Sequence, residues 1–182
     1  MIGRYQDTFL LHHNNSMKMN QAHWHLVLNH LPILGTLFGI LVLLAGFLFK
    51  QGSVRQTGLG LFVFSALVAI PAFLTGEGAE DAVEGLPGVG ENLIERHEDL
   101  ANFFLWTVIG LGVLALASLL ASLNGWKAAS LLSLITLVVA LGTMVLAQQV
   151  GTSGGEIRHT EIRGNATGQG ALPDQGGEDD DD

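Results

Sequence analysis

Four long stretches that contain no Asp, Glu, Lys or Arg constrain this chain more than any other feature of its sequence. They cover residues 26–49, 57–76, 100–123 and 128–147, and each is close to the roughly 20 apolar residues that an α-helix needs to cross a bilayer. One such stretch would also suit a buried helix of a soluble protein. Four of them in a chain of 182 residues predict an all-α fold, a four-helix transmembrane bundle.

Four spans place both ends of the chain on the same side of the membrane. We predict a polar N-terminal segment over residues 1–22, for which Met17 and Met19 are alternative starts. The four-span membrane domain covers residues 23–162. The Gly, Pro and Gln content and the final acidic run of residues 163–182 predict a disordered acidic C-terminal tail.

The overall composition excludes several kinds of site. The sequence has no cysteine, so disulfides, thiolate metal ligands and thiol redox chemistry are excluded. Its formal net charge of -9 argues against nucleic acid as a partner and against a basic membrane-surface patch. The lipid bilayer is the partner that the apolar windows predict.

The topology collects titratable side chains at one end of the bundle. The start of the first span, the end of the second, the start of the third and the end of the fourth all lie on the same side. The connectors at the opposite end contain no histidine and no acidic residue. The polar end gathers, among others, His23, His30, Glu77, Glu80, Asp81, His97, Glu156 and His159.

His30 and His97 are the leading candidates for a binding site at this end. His30 stands two residues before Pro32, at the start of the first span, where an imidazole without a partner is costly. His97 shares a helical face with the apolar side chains of Ile94 and Phe104. Helical spacing puts His23 on the same face as His30 and turns His25 elsewhere.

Three kinds of site suit two imidazoles with nearby carboxylates. A b-type haem would take His30 and His97 as axial ligands. A proton or quinone site would use His and Glu as relays. A transition metal ion would draw nitrogen and oxygen ligands from His30, His97, Glu80 and Glu77, with His23 and His159 as outer candidates.

No diagnostic ligand spacing chooses among these sites. A binding protein that holds a metal or haem and serves electron transfer is the first hypothesis, ahead of an enzyme. The alternative is a structural or accessory subunit of a membrane complex, with no cofactor and with its histidines satisfied by local hydrogen bonds. The alternation of Ile157, His159 and Glu161 favours a short extended segment after the fourth span.

Small residues in the first span predict close helix packing. Gly35 and Gly39 form a small-xxx-small pair, and Gly46 extends it by seven residues. Packing inside the bundle is the first interpretation. The alternatives are a homodimer through Gly35 and Gly39 or contact with other membrane subunits.

The basic residues of the short connectors predict an orientation. Lys50, Arg55 and Lys127 lie at the end without acids, which the positive-inside rule places in the cytoplasm. A multi-pass protein of the cell membrane with its termini and the 77–96 loop outside is therefore expected.

Four short motifs stand near the ends of the spans, and they are His-x-Pro at His30 and Pro32, Thr75-Gly76, Glu95-Arg96-His97 with Ala101, and Gly154-Gly155. Together they resemble the bacterial membrane proteins grouped as domain of unknown function 2231. The resemblance covers residues 26–162 and implies a four-helix integral membrane protein without an assigned activity. The chain departs from the usual pattern after the glycine pair, where Glu156 and His159 replace a more apolar and aromatic stretch.

Overall fold

The computed structural model describes residues 21–163 of the chain. These residues form α-helices and one short 3₁₀ turn, with no strand among them. Four of the helices are long and apolar enough to cross a membrane, which confirms the predicted all-α fold. The elements are α1 (Gln21–Leu48), α2 (Gly52–Leu74), α3 (Gly76–Val83), α4 (Glu91–Leu123), α5 (Ala129–Arg158) and the turn Thr160–Ile162. The predicted acidic tail lies outside the described residues.

Helix α1 continues through Pro32. Its first two turns join the regular stretch His30–Leu48 at Asn29, whose backbone keeps helical dihedral angles. Pro32 has no N–H to donate, but the Asn29 N–H still reaches the His25 carbonyl oxygen at 2.9 Å. The first two turns therefore stay in register with the interior face of the span, and this register decides which histidine points inward.

The four long helices form a closed ring in the order α1, α2, α4 and α5. The contact between α1 and α2 is the most extensive, and the contact between α1 and α5 is the smallest of the four. It follows that α1 and α4 face each other across the diagonal of the bundle. The central core is built from Ile40, Leu43, Leu59, Phe62, Leu111, Ala115, Leu137 and Ala140.

A second apolar cluster lies nearer the end of the bundle that we call the mouth, where α1 and α4 begin and α2 and α5 end. Its buried members come from α2, α4 and α5 and are Ala69, Phe104, Val108, Ala147 and Val150. The polar residues of the mouth lie one to two helical turns beyond this cluster along each helix. The cluster therefore forms an apolar layer directly below the polar residues of the mouth.

The glycines of the first span pack within the chain. Gly39 lies against the ring of Phe62, and Gly46 lies against the backbone of Arg55. Gly35 is buried against Ser65 of α2. This face is occupied by α2, so it supports the interpretation of packing inside the bundle.

The last helix is longer than its apolar window. We predicted a span that ends near Ala147 and an extended segment around His159, but α5 continues to Arg158 and a 3₁₀ turn follows. The prediction of an extended segment was therefore wrong. The extra turns matter because they bring Ser153 and Gly154 beside α4.

Candidate functional site

His97 is fixed by a hydrogen-bond chain that links α4 to α5. Its Nδ1 lies 3.0 Å from Oγ of Ser153, and that hydroxyl donates to the Val150 carbonyl oxygen at 3.0 Å. The single hydroxyl proton of Ser153 is therefore already used. With that proton engaged at Val150, Oγ accepts from His97 in the tautomer that carries its proton on Nδ1, which is the tautomer that this pair of hydrogen bonds favours.

His25 is fixed in the same way between α1 and α2. Its Nδ1 lies 2.9 Å from the carbonyl oxygen of Ala72, which can only accept. The ring is partly buried and lies in van der Waals reach of the position that a Cβ on Gly76 would occupy. The Nδ1 of His25 is thus also the protonated nitrogen.

Both neutral imidazoles are left with a basic Nε2. A neutral imidazole has one N–H, and in His25 and His97 it is engaged at Nδ1. Histidines that bind metals are typically oriented in this manner, with the other ring nitrogen donating to a carbonyl or another acceptor. The same arrangement suits a base that accepts a proton at Nε2.

The two imidazoles belong to diagonal helices at the same end of the bundle. His25 follows the interior face of α1, and His97 follows the interior face of α4, each in the turns at the mouth. They are close enough that a positive charge on His25 would repel one on His97. Both rings therefore lie in the same region of the mouth, and we call them the imidazole pair.

Asn29 adds a polar group without a partner to the mouth. Its side-chain oxygen is buried and has no hydrogen-bond partner among the described residues. An unsatisfied buried acceptor costs about 1–3 kcal/mol. Asn29 lies one helical turn after His25, so this unpaired acceptor atom lies in the same region of the mouth as the imidazole pair.

Helix α3 approaches both helices that carry the imidazole pair. Gly78 packs directly against the side chain of Gln21 on α1. Glu80 feels the negative charge of Glu98 on α4, and partial burial followed by this repulsion raises the pKa of the Glu80 carboxyl. A carboxyl whose pKa is raised by folding destabilises the fold when ionised, so its cost is absent below the pKa of the unfolded chain and grows until pH passes the raised pKa of the folded chain.

The structure does not bring the predicted metal ligands together. His30 and His23 are both exposed, and His159 forms an exposed local pair with Glu161 at 2.9 Å. Hydrogen bonds from its own backbone and from His159 lower the pKa of Glu161. Within residues 21–163, no group of three His, Asp or Glu side chains is arranged to hold a metal ion. The set of His30, His97, Glu80 and Glu77 therefore does not form a metal site in the described chain.

His25 and Ser153 are the site residues that sequence reasoning missed. The signal for His25 was present, because His25, Pro32, Gly39 and Gly46 are spaced by seven and continue one interior face. The small residues of α5 likewise extend with helical spacing to Ser153. The helical spacing of the buried face, continued to the end of each helix, predicts both His25 and Ser153.

Comparison with known proteins identifies no relative. No protein-family model, curated protein or solved structure matches this chain. The resemblance to the domain of unknown function 2231 proteins stays a prediction. The function of the site is therefore inferred from its geometry.

Proposed function

We propose that this chain is a cofactor-binding membrane protein in which His25 and His97 hold one redox group and serve electron transfer. The observation that carries the proposal is the hydrogen bond at the Nδ1 of each ring, which leaves each Nε2 available as a ligand atom. The pair replaces the predicted combination of His30 and His97. The proposal still places cofactor binding at the polar end of the bundle, as the sequence predicts.

A b-type haem suits this donor set better than a metal ion held by protein ligands alone. His25 and His97 would hold a haem iron through their Nε2 atoms, whereas the described residues offer no group of three ligands for a bare ion. Ligands on diagonal helices can meet in the bundle interior from opposite sides. When bound, the haem supplies one-electron redox chemistry, while Ala72 and Ser153 keep each Nε2 deprotonated.

Binding of a group this large requires the mouth to open. The groove of about 770 Å³ in this structure lies on the other side of α4 and is not lined by either imidazole. The smallest contact in the ring is the one between α1 and α5. Separation along this contact moves His25 away from His97 while leaving the α1–α2 and α4–α5 pairs intact.

The proposed orientation places the mouth on the outer side of the membrane, opposite the cytoplasm. Lys50, Arg55 and Lys127 support it, because they lie at the opposite end in or beside the short connectors. Arg96, at the mouth, is paired with Glu156 at 2.8 Å. Electron transfer would then occur near the outer surface, next to the 77–96 loop.

A structural role is the second candidate, and one observation favours it. Each imidazole hydrogen bond joins neighbouring helices, α1 to α2 in one case and α4 to α5 in the other. Such bonds between membrane helices contribute about 0.6 kcal/mol on average. In this account His25 and His97 stabilise the mouth of an accessory subunit and bind nothing.

Titration of the purified protein with ferric haem separates the two candidates. We expect saturable binding at about one haem per chain, with the absorbance spectrum of a six-coordinate low-spin iron. Metal analysis of the protein as purified serves as the control for a bare ion. Spectra that show only non-saturable partitioning of haem into the detergent would contradict the proposal and leave the structural role.

A further inference from the structure

The groove between α4 and α5 is separate from the imidazole pair. Its volume of about 770 Å³ lies within the range of small-molecule sites. Its walls come from residues 92–100 of α4 and 145–152 of α5. His97 lies on the other face of α4, toward the bundle interior, so the groove opens on the outer side of the bundle.

The groove changes from polar to apolar along the helix axes. At the mouth side it is lined by Glu95 and Asp99 from α4 and by Gln148 and Gln149 from α5. At the other end its walls are Leu100 and Val145, which lie inside the apolar windows. A site that is polar at the membrane boundary and apolar below it matches an amphiphile that lies with its headgroup outward.

The charge of the groove is negative. Glu95 and Asp99 are exposed and have no side-chain partner among residues 21–163. They are four residues apart on one face of α4, so both point to the same side. Arg96 also lines the groove, but its charge is balanced by Glu156, with Nη1 2.8 Å from Oε2.

We propose that this groove binds a phospholipid whose headgroup carries a primary ammonium group, as in phosphatidylethanolamine. The ammonium is placed between the two free carboxylates and the carboxamide oxygens of Gln148 and Gln149. Its N–H groups form charge-assisted hydrogen bonds, which a quaternary ammonium cannot form. An anionic headgroup is repelled by Glu95 and Asp99. The acyl chains follow Leu100 and Val145 into the membrane.

Native mass spectrometry of the delipidated full chain in detergent tests this site. The probes are phosphatidylethanolamine, phosphatidylcholine and phosphatidylglycerol with identical acyl chains. We expect the first bound lipid to favour phosphatidylethanolamine by about tenfold, because a hydrogen bond to a charged group contributes that much or more. The double variant Glu95→Gln, Asp99→Asn is expected to lose this preference.

Glu91→Gln is the matched control. Glu91 lies on the same helix and its substitution also removes a carboxylate charge, one where the double variant removes two, but it does not line the groove, so the lipid preference of this variant should equal that of the unsubstituted protein. A preference for phosphatidylglycerol, or a double variant that keeps the phosphatidylethanolamine preference, would overturn the proposal. The result is independent of haem binding, since neither variant alters the imidazole pair.

Discussion

Replacing Gly58 with Ala is expected to destabilise the bundle by about 1–3 kcal/mol, the cost of overpacking a tight interface. A Cβ on Gly58 would lie 2.7 Å from the backbone nitrogen of Leu43 and 2.9 Å from its Cα. Those atoms belong to the backbone of α1 and cannot rotate away. The two helices must separate, and the contact they would lose is the most extensive in the ring.

Gly60→Ala is the control for this substitution. Gly60 is two residues further along α2, and nothing lies within 4 Å of its added Cβ. Alanine there gains helix propensity of about 1 kcal/mol, so the variant should be as stable as the original or slightly more stable. Unfolding in detergent, followed by circular dichroism, measures both. Equal stability of the Gly58 and Gly60 variants would contradict the packing described for α1 and α2.

The second large effect is expected from the imidazole pair. His25→Ala and His97→Ala should each weaken haem binding by more than about tenfold, since even groups that only orient a ligand contribute 10–100-fold. Ser153→Ala removes the acceptor of the His97 Nδ1 and keeps the ligand itself, so a smaller loss is expected. Absorbance titration with ferric haem measures all three affinities.

His30→Ala is the matched variant for this series. It removes the same side chain from the same helix, but His30 is exposed and is hydrogen-bonded to neither ring, and its only coupling to the imidazole pair is charge repulsion with His25. Its haem affinity should therefore equal that of the unsubstituted protein. Melting curves without haem identify any variant that fails to fold. A loss of haem affinity in His30→Ala and not in His25→Ala would contradict this assignment and favour His30, the histidine predicted from the sequence, as the ligand.

The sequence predicts the fold because the bilayer imposes a simple length requirement. The uncharged window at 100–123 lies inside α4, and the window at 26–49 passes the end of α1 at Leu48 by one residue. The alternating direction of successive spans also explains why His25 and His97 come from helices that start at the same end. These features depend on composition and on helix length alone.

The identity of the inward histidine was harder to predict. The seven-residue spacing of His23 and His30 is real, but both side chains lie on the exposed face of α1. Periodicity shows which residues share a face, while contacts with other helices decide which face is buried. The close packing of Gly39 and Gly46 on α2 supplies that information, and it places His25 in the interior.

The extent of α5 was missed for a different reason. Its apolar window ends near Ala147, and the glycines at Gly151, Gly154 and Gly155 favour a loop by propensity. In the bundle they allow close approach, since a Cβ on Gly154 would lie 3.0 Å from Cε1 of His97. Tertiary packing thus outweighs the local preference and extends the helix to Ser153.

The central claim is that His25 and His97 meet at one ligand, and the coordination of bound haem tests it most directly. Electron paramagnetic resonance of the ferric, haem-loaded protein distinguishes an iron with two axial imidazoles from an iron with one. We expect a low-spin six-coordinate signal that becomes high-spin in both His25→Ala and His97→Ala and stays unchanged in His30→Ala. A high-spin five-coordinate iron in the unsubstituted protein would contradict the claim.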